Sequence, residues 1–212
     1  MTRAVLWDLD GTLVDSENYH WQSWQHAMAL DGTTVTHRQF TQTFGQRNET
    51  ILRGWLGDDA APERIQRVAD AKEVEYRRLA EERGLTPLPG AADWLVRLQA
   101  TGWKQAIASS APRLNVDVML RALKLEHYFD AIVASEDVTK GKPDPEVFLT
   151  AAARLGLPAS RCIVVEDAAA GVEAARRAGM RSIGVSRAAV LPADVFVRSL
   201  SDLPLGAFDA LV

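Results

Sequence analysis

Two aspartates, Asp8 and Asp10, stand one residue apart at the end of the apolar run Ala4-Val5-Leu6-Trp7, immediately before Gly11. A short apolar run beside a turn reads as a buried strand, and open α/β sheets bind ligands at the carboxyl ends of such strands. Bare carboxylates are costly to bury, so the pair implies a metal, a proton or a cationic substrate. Three more apolar runs end in polar residues. The run 104–109 leads into Ser109 and Ser110, and the run 131–134 is followed by Lys140-Gly141-Lys142-Pro143-Asp144-Pro145. Cys162-Ile163-Val164-Val165 leads into Glu166 and Asp167. In a parallel sheet these ends lie on one edge and converge. Two like charges ~4 Å apart repel by about 4 kcal/mol at an effective dielectric of ~20. Asp8, Asp10, Glu166 and Asp167 would therefore not stay ionised together against one lysine. A divalent cation resolves the repulsion. Oxygen-only ligands point to magnesium, which commonly also takes a phosphate oxygen. The Ser109 hydroxyl and Lys142 suit the remaining oxygens of a phosphoryl group.

The elements that must position these residues are legible as alternating patterns. Strand-like runs at 104–109, 131–134, 162–166, 181–185 and 195–197 alternate with helical spacing at 115–124, 146–155 and 168–178. This predicts an α/β fold, a doubly wound parallel sheet with helices on both faces. About ninety residues between the first two strands break the rhythm and read as helical. Ser16 is placed to cap a helix running to Leu30, Thr36-His37-Arg38-Gln39 fits a capping box, and Asn48 is placed to cap a third helix. Pro62 suits the first turn of a long helix reaching Arg83, which Gly84 ends before Pro87 and Pro89. The reading is a core of residues 1–15 and 86–212 carrying an inserted α-helical cap domain, residues 16–85. A helix from Gly90 to Ala100 returns the chain to the sheet, and Asp144 caps a helix opening with Pro145. Trp21, Trp24 and Trp94 fall at helix-face spacing and read as packing residues.

Composition narrows the function classes. The chain has 212 residues, a formal net charge of −4, and 47% hydrophobic and 25% charged residues, as in an ordinary globular protein. Mild acidity argues against nonspecific nucleic-acid binding. No apolar stretch approaches the ~20 residues that span a membrane, and Met1-Thr2-Arg3 leads straight into the first strand, so a cytoplasmic protein is expected. A monomer is expected separately. Cys162, the single cysteine, sits in an apolar run and reads as a small buried hydrophobe.

Asp8-Leu9-Asp10-Gly11-Thr12-Leu13-Val14-Asp15-Ser16 resembles the first motif of the haloacid dehalogenase superfamily. Ile107-Ala108-Ser109-Ser110 resembles the second, Gly141-Lys142-Pro143-Asp144-Pro145 the third, and Val164-Val165-Glu166-Asp167-Ala168-Ala169-Ala170-Gly171 the fourth. The order is that of the family, and the helical insertion lies where its mobile cap is placed on a Rossmann-like core. The resemblance implies Asp8 as nucleophile and Asp10 as general acid and base. It implies Ser109 and the Ser110 amide as phosphoryl-binding groups and Lys142, rather than Lys140, as the charge-neutralising residue. For the magnesium it implies the Asp8 carboxylate, the Asp10 carbonyl, Asp167 and Glu166.

The resemblance is nearest the β-phosphoglucomutase and sugar-phosphatase branch. His20, in Asp15-Ser16-Glu17-Asn18-Tyr19-His20, is placed to reach Asp10 when the cap closes. Asp10 favours an oxygen leaving group, because halide leaves unprotonated. Phosphonate cleavage would need a cap lysine, and the single one in the insertion, Lys72, lies far along its last helix. The mutase holds a second phosphate with a cap arginine and a lysine–asparagine pair after the second motif. Asn48 and Pro112-Arg113 stand there in this chain, with Arg47 adjacent. Arg47 and Arg113 are then the candidate substrate contacts at that end. The expectation is a magnesium-dependent phosphatase of small phosphorylated metabolites, with a phosphomutase as the alternative. A purely binding module would need a broken motif, and none is broken.

Overall fold

The four residues of β1 (Ala4–Trp7) are completely buried, and the rest of the sheet is built outward from them. The structure, a computed structural model, describes residues 2–212. After β1 come four helices, α1 (Glu17–Leu30), α2 (His37–Thr43), α3 (Asn48–Leu56) and α4 (Pro62–Arg83), then α5 (Ala91–Ala100) and β2 (Lys104–Ala108). The chain continues through α6 (Arg113–Leu123), β3 (Ala131–Val133), α7 (Glu146–Leu155), β4 (Cys162–Glu166), α8 (Ala169–Arg177), β5 (Arg181–Val185) and β6 (Val195–Val197). The strands form one sheet in the order β3-β2-β1-β4-β5-β6, with every pair parallel.

Alternation along β1 and β4 sends successive side chains to opposite faces. Val5, Trp7, Ile163 and Val165 pack with Trp94, Leu95 and Leu98 of α5, with Val116, Met119 and Leu120 of α6, and with Phe208. Ala4, Leu6 and Val164 pack with Val147, Phe148 and Ala151 of α7 and Ala174 and Ala175 of α8. Burying a side chain of this size contributes roughly 1.5–3 kcal/mol each, which fixes the register. Trp7 lies opposite both Ile107 and Val165. The residue after β1, Asp8, therefore leaves the sheet beside Glu166.

The α1–α4 helices hold a separate core of Trp24, Met28, Phe40, Ile51, Leu52, Ile65 and Val68. The two connections to it run side by side: the Asp15 amide donates to the Thr86 carbonyl at 3.1 Å, and the Leu88 amide to the Leu13 carbonyl at 2.9 Å. The predicted capping box at Thr36 and Gln39 is present, and Pro62 opens and Gly84 ends α4 as expected. Two predicted caps are corrected. The Ser16 side chain makes no capping bond, because its hydroxyl turns to Asp10. Arg47, not Asn48, is the N-cap residue of α3, because the Asn48 amide is drawn to Glu73. Asp144 accepts from the Glu146 amide at 3.1 Å, so it satisfies the start of α7 from one residue before Pro145. Cys162 is buried, and burial pushes its thiol up to about 11. No helix among the described residues is long and apolar enough to cross a membrane.

Candidate active site

Asp8, Ser109, Lys142 and Glu166 meet at the carboxyl edge of the sheet. The Lys142 ammonium donates to Asp8 Oδ1 at 2.5 Å and to Glu166 Oε1 at 2.6 Å. All three residues are buried, Glu166 at 1% exposure and Asp8 at 7%. The other oxygen of Glu166 accepts from the Ala168 amide at 2.8 Å. Glu166, expected from the sequence as a metal ligand, is held here by the lysine and by the backbone ahead of α8. Gly171 explains itself here: a Cβ on it would stand 1.9 Å from Glu166 Oε1. Burial is the largest influence on Asp8 and raises it to about 8, against the pull of Lys142 and with a further push from Glu166. Burial opposes the charge of Lys142, but Asp8 and Glu166 outweigh it and hold the ammonium above its usual range. Ser109 is 2% exposed, and its hydroxyl accepts from the Ala111 amide at 3.0 Å, which fixes the loop that carries Ser110.

Asp167 is the under-partnered member of the group. Among the described residues its hydrogen bond comes from the Thr12 hydroxyl at 3.5 Å. Burial, then Glu166 and Asp8, push it well above the carboxylate range. Gly11, at φ +78°, leaves room for it, since a Cβ there would lie 2.2 Å from Asp167 Oδ2. No three side chains of histidine, cysteine, aspartate or glutamate close on one point among the described residues. Magnesium does not require that, because one or two carboxylates with a main-chain carbonyl, waters and a phosphate suffice. Crowding and burial keep protons on Asp8 and Asp167, and a divalent cation between them would let both ionise, so the pair fits such an ion.

Asp10 faces the helical side. Its Oδ1 accepts from the Ser16 hydroxyl at 2.6 Å, contacts His20 Nε2 at 2.8 Å and lies 3.4 Å from the Tyr76 hydroxyl. His20 stacks on Tyr76, with ring centroids 4.2 Å apart. Burial would raise Asp10, but His20 and then Ser16 outweigh it, so its carboxyl lies below the usual range. Asp10 thus touches three residues that the sequence assigns to the insertion or its hinge.

The haloacid dehalogenase-like hydrolase family model matches residues 5–185. The chain belongs to this family. It is 35% identical to the β-phosphoglucomutase of Bacillus subtilis, over 96% of this chain and 92% of that protein. It is 32% identical to a phosphorylated carbohydrates phosphatase of Thermotoga maritima, over 85% of this chain and 83% of that protein. CbbY from Rhodobacter sphaeroides, solved in complex with phosphate, superposes with a TM-score of 0.89 at 27% identity, over 99% of this chain and 100% of that one.

In this haloacid dehalogenase-like hydrolase the helices roof a cavity lined by Asp8, Asp10, His20, Ser109 and Ser110 together with Asn48, Lys72 and Glu73. The sequence reading missed Lys72 and Glu73. Lys72 is 2% exposed, donates to Glu73 at 2.8 Å and lies 5.4 Å from the Trp24 ring. Its distance along α4 misled, because a helix carries a residue 1.5 Å per step straight across the roof. An ammonium donating to Glu73 offers no lone pair to an aldehyde, so a Schiff base is still not indicated. Trp24 packs edge-on against Trp55 and also lines the cavity.

Two expected substrate contacts are placed elsewhere. The Arg47 guanidinium donates to the carbonyls of Ser135, Val138 (2.7 Å) and Thr139 (3.0 Å), so the helical unit grips the core with it. Arg113 is exposed at the start of α6 and pairs with Asp117 at 2.8 Å, since a residue four positions along a helix is its nearest carboxylate.

Proposed function

We propose that the chain hydrolyses small phosphomonoesters, sugar phosphates above all, with residues 1–15 and 86–212 as catalytic core and 16–85 as a cap that closes over them. The observation that carries this is the Lys142 ammonium held between Asp8 and Glu166 at the sheet edge, with Asp10 two residues beyond Asp8 and bonded to His20 of α1. Magnesium use is general in the family. The Asp8 carboxylate, the Asp10 carbonyl and Asp167 would hold the ion, which when bound offsets the negative charge gathered around the phosphoryl group.

Asp8 attacks phosphorus as the ester P–O bond breaks, giving an aspartyl-phosphate. Asp10, ionised in the free site, takes up a proton as substrate binds, gives it to the leaving oxygen, and then takes one from the water that cleaves the acyl phosphate. Lys142, the Ser109 hydroxyl and the Ser110 amide hold the equatorial oxygens, where charge is spread in the transition state. Ser16 and His20 orient Asp10 from the hinge and the cap. A phosphomutase remains the second reading, supported by the 35% identity to such an enzyme. Against it stands Asn48 where that activity needs a cationic grip on a second phosphate, with Arg47 turned to main-chain carbonyls.

The test is inorganic phosphate release from a panel of sugar phosphates with magnesium. Asp8→Asn should lower kcat by more than about a thousandfold, and chelation of divalent ions should abolish turnover. Conversion of glucose 1-phosphate to glucose 6-phosphate with little phosphate release would replace the hydrolase reading with the mutase one.

A further inference from the structure

We propose that Glu73 determines specificity: its carboxylate, which lines the cavity where it meets the outer groove, rejects a second phosphoryl group and confines the enzyme to monophosphates whose far end is uncharged and bears hydroxyls. The inference rests on the phosphomonoesterase reading of the same site and adds the substrate class.

Glu73 stands at a partition. With Asn48, Ser110 and Pro112 it lines both the inner cavity, which contains Asp8 and Asp10, and an outer groove between the helical unit and the core. One carboxylate oxygen accepts from Lys72 at 2.8 Å and from Asn48 at 2.6 Å. The other accepts from Asn115 of α6, so the contact crosses from α4 to the core. Burial works against the charge of Glu73, yet Lys72, Asn48 and His20 hold the carboxyl below its usual range, and it is anionic at neutral pH.

The cations at this wall are already tied by hydrogen bonds, two of them to carboxylates and two to neutral oxygens. Lys72 is matched by Glu73. Three arginines line the outer groove, and each is engaged. Arg47 grips main-chain carbonyls, Arg53 pairs with Glu49 at 2.9 Å, and Arg77 donates to Asn115 at 2.9 Å. An ionised carboxylate only accepts hydrogen bonds. A sugar hydroxyl can donate to it and can also meet the Asn48 and Asn115 amides. A phosphate dianion brings acceptors and like charge.

The experiment compares kcat/KM for fructose 1-phosphate and fructose 1,6-bisphosphate, read as phosphate release with magnesium, in the wild type and in Glu73→Gln. The wild type should prefer the monophosphate by at least about a hundredfold, because facing like charges costs several kcal/mol. In Glu73→Gln, which leaves Lys72 uncompensated, kcat/KM for the bisphosphate should rise in absolute terms and the preference should narrow by at least about tenfold. A merely structural role for Glu73 would not produce that rise. Equal turnover of both esters by the wild type, or an unchanged preference in the folded variant, overturns the assignment and leaves the phosphatase reading intact. Release from neither ester, nor from any other in the panel, overturns both. If the variant does not fold, inhibition of wild-type turnover decides. The bisphosphate should inhibit at least about a hundredfold more weakly than fructose 1-phosphate binds, and inhibition of equal strength overturns the assignment.

Discussion

Asp167 and Glu166 are adjacent acids with opposite surroundings. Asp167 has one long hydrogen bond from Thr12, whereas Glu166 is held by Lys142 and the Ala168 amide. The first is suited to a metal and the second to positioning Lys142. Asp167→Asn should raise the magnesium concentration for half-maximal activity by at least about tenfold. Glu166→Gln should lower kcat by a comparable factor while moving the magnesium requirement by less than about threefold. Magnesium titrations of phosphate release measure both, and equal shifts would return Glu166 to the ligand set. Asp8, Asp10, Lys142 and Asp167 were legible in the sequence because each directly follows an apolar strand or sits in a short motif. Lys72 and Glu73 were not, because a charged pair inside a helix looks like a solvated face until a neighbour buries it.

At the scale of elements, α1 is tied to α4 by more than its apolar stripe. Asp31, which ends α1, accepts from Arg64 at 2.9 and 2.6 Å and from Arg67 at 3.0 Å, both on α4. The Arg64 hydrogen bond is the largest influence on Asp31 and outweighs burial in holding its carboxyl below the usual range. Such a group contributes stability that is complete above the unfolded value near 4 and is lost as pH falls through the lower folded value. Both arginines are more than a third exposed, so solvent screens the pair. Asp31→Asn should lower Tm at pH 7 by at most about 2–4 °C, and the difference from wild type should vanish under strongly acid conditions. Thermal melts across pH would show it, and a constant difference would remove the ion pair as the cause. The ends of α4 were readable from Pro62 and Gly84 because proline and glycine act through the backbone. Asn48 and Ser16 were misread as side-chain caps because their polar atoms found partners across the fold.

At the scale of the whole molecule, the cavity between helices and sheet measures about 40 Å³. That is far below the ~300 Å³ of ordinary ligand pockets, so a sugar phosphate requires the cap to lift. The paired connections at Leu13–Leu88 and Asp15–Thr86 are the hinge that the proposed closure requires, and Arg47 bonds the helical unit to the core through the Ser135, Val138 and Thr139 carbonyls. Arg47→Ala should shift the ligand-free protein toward an open form, seen as a larger radius of gyration in small-angle scattering with unchanged circular dichroism. An unchanged scattering curve would mean that Arg47 does not hold the cap.

The sequence by itself determined the parallel sheet, the interrupting helices and the carboxylates and lysine that meet at the strand ends. Those follow from local periodicity, since a strand that buries alternate residues can end its polar neighbours on one edge only. The tertiary structure decided what faces them. Whether Arg47 points at a ligand or at the Val138 carbonyl, and whether Glu73 meets solvent or Asn115, depends on how two separately cored units dock. No single stretch of chain encodes that contact, because its energy lies in pairs of residues about 40 to 90 positions apart.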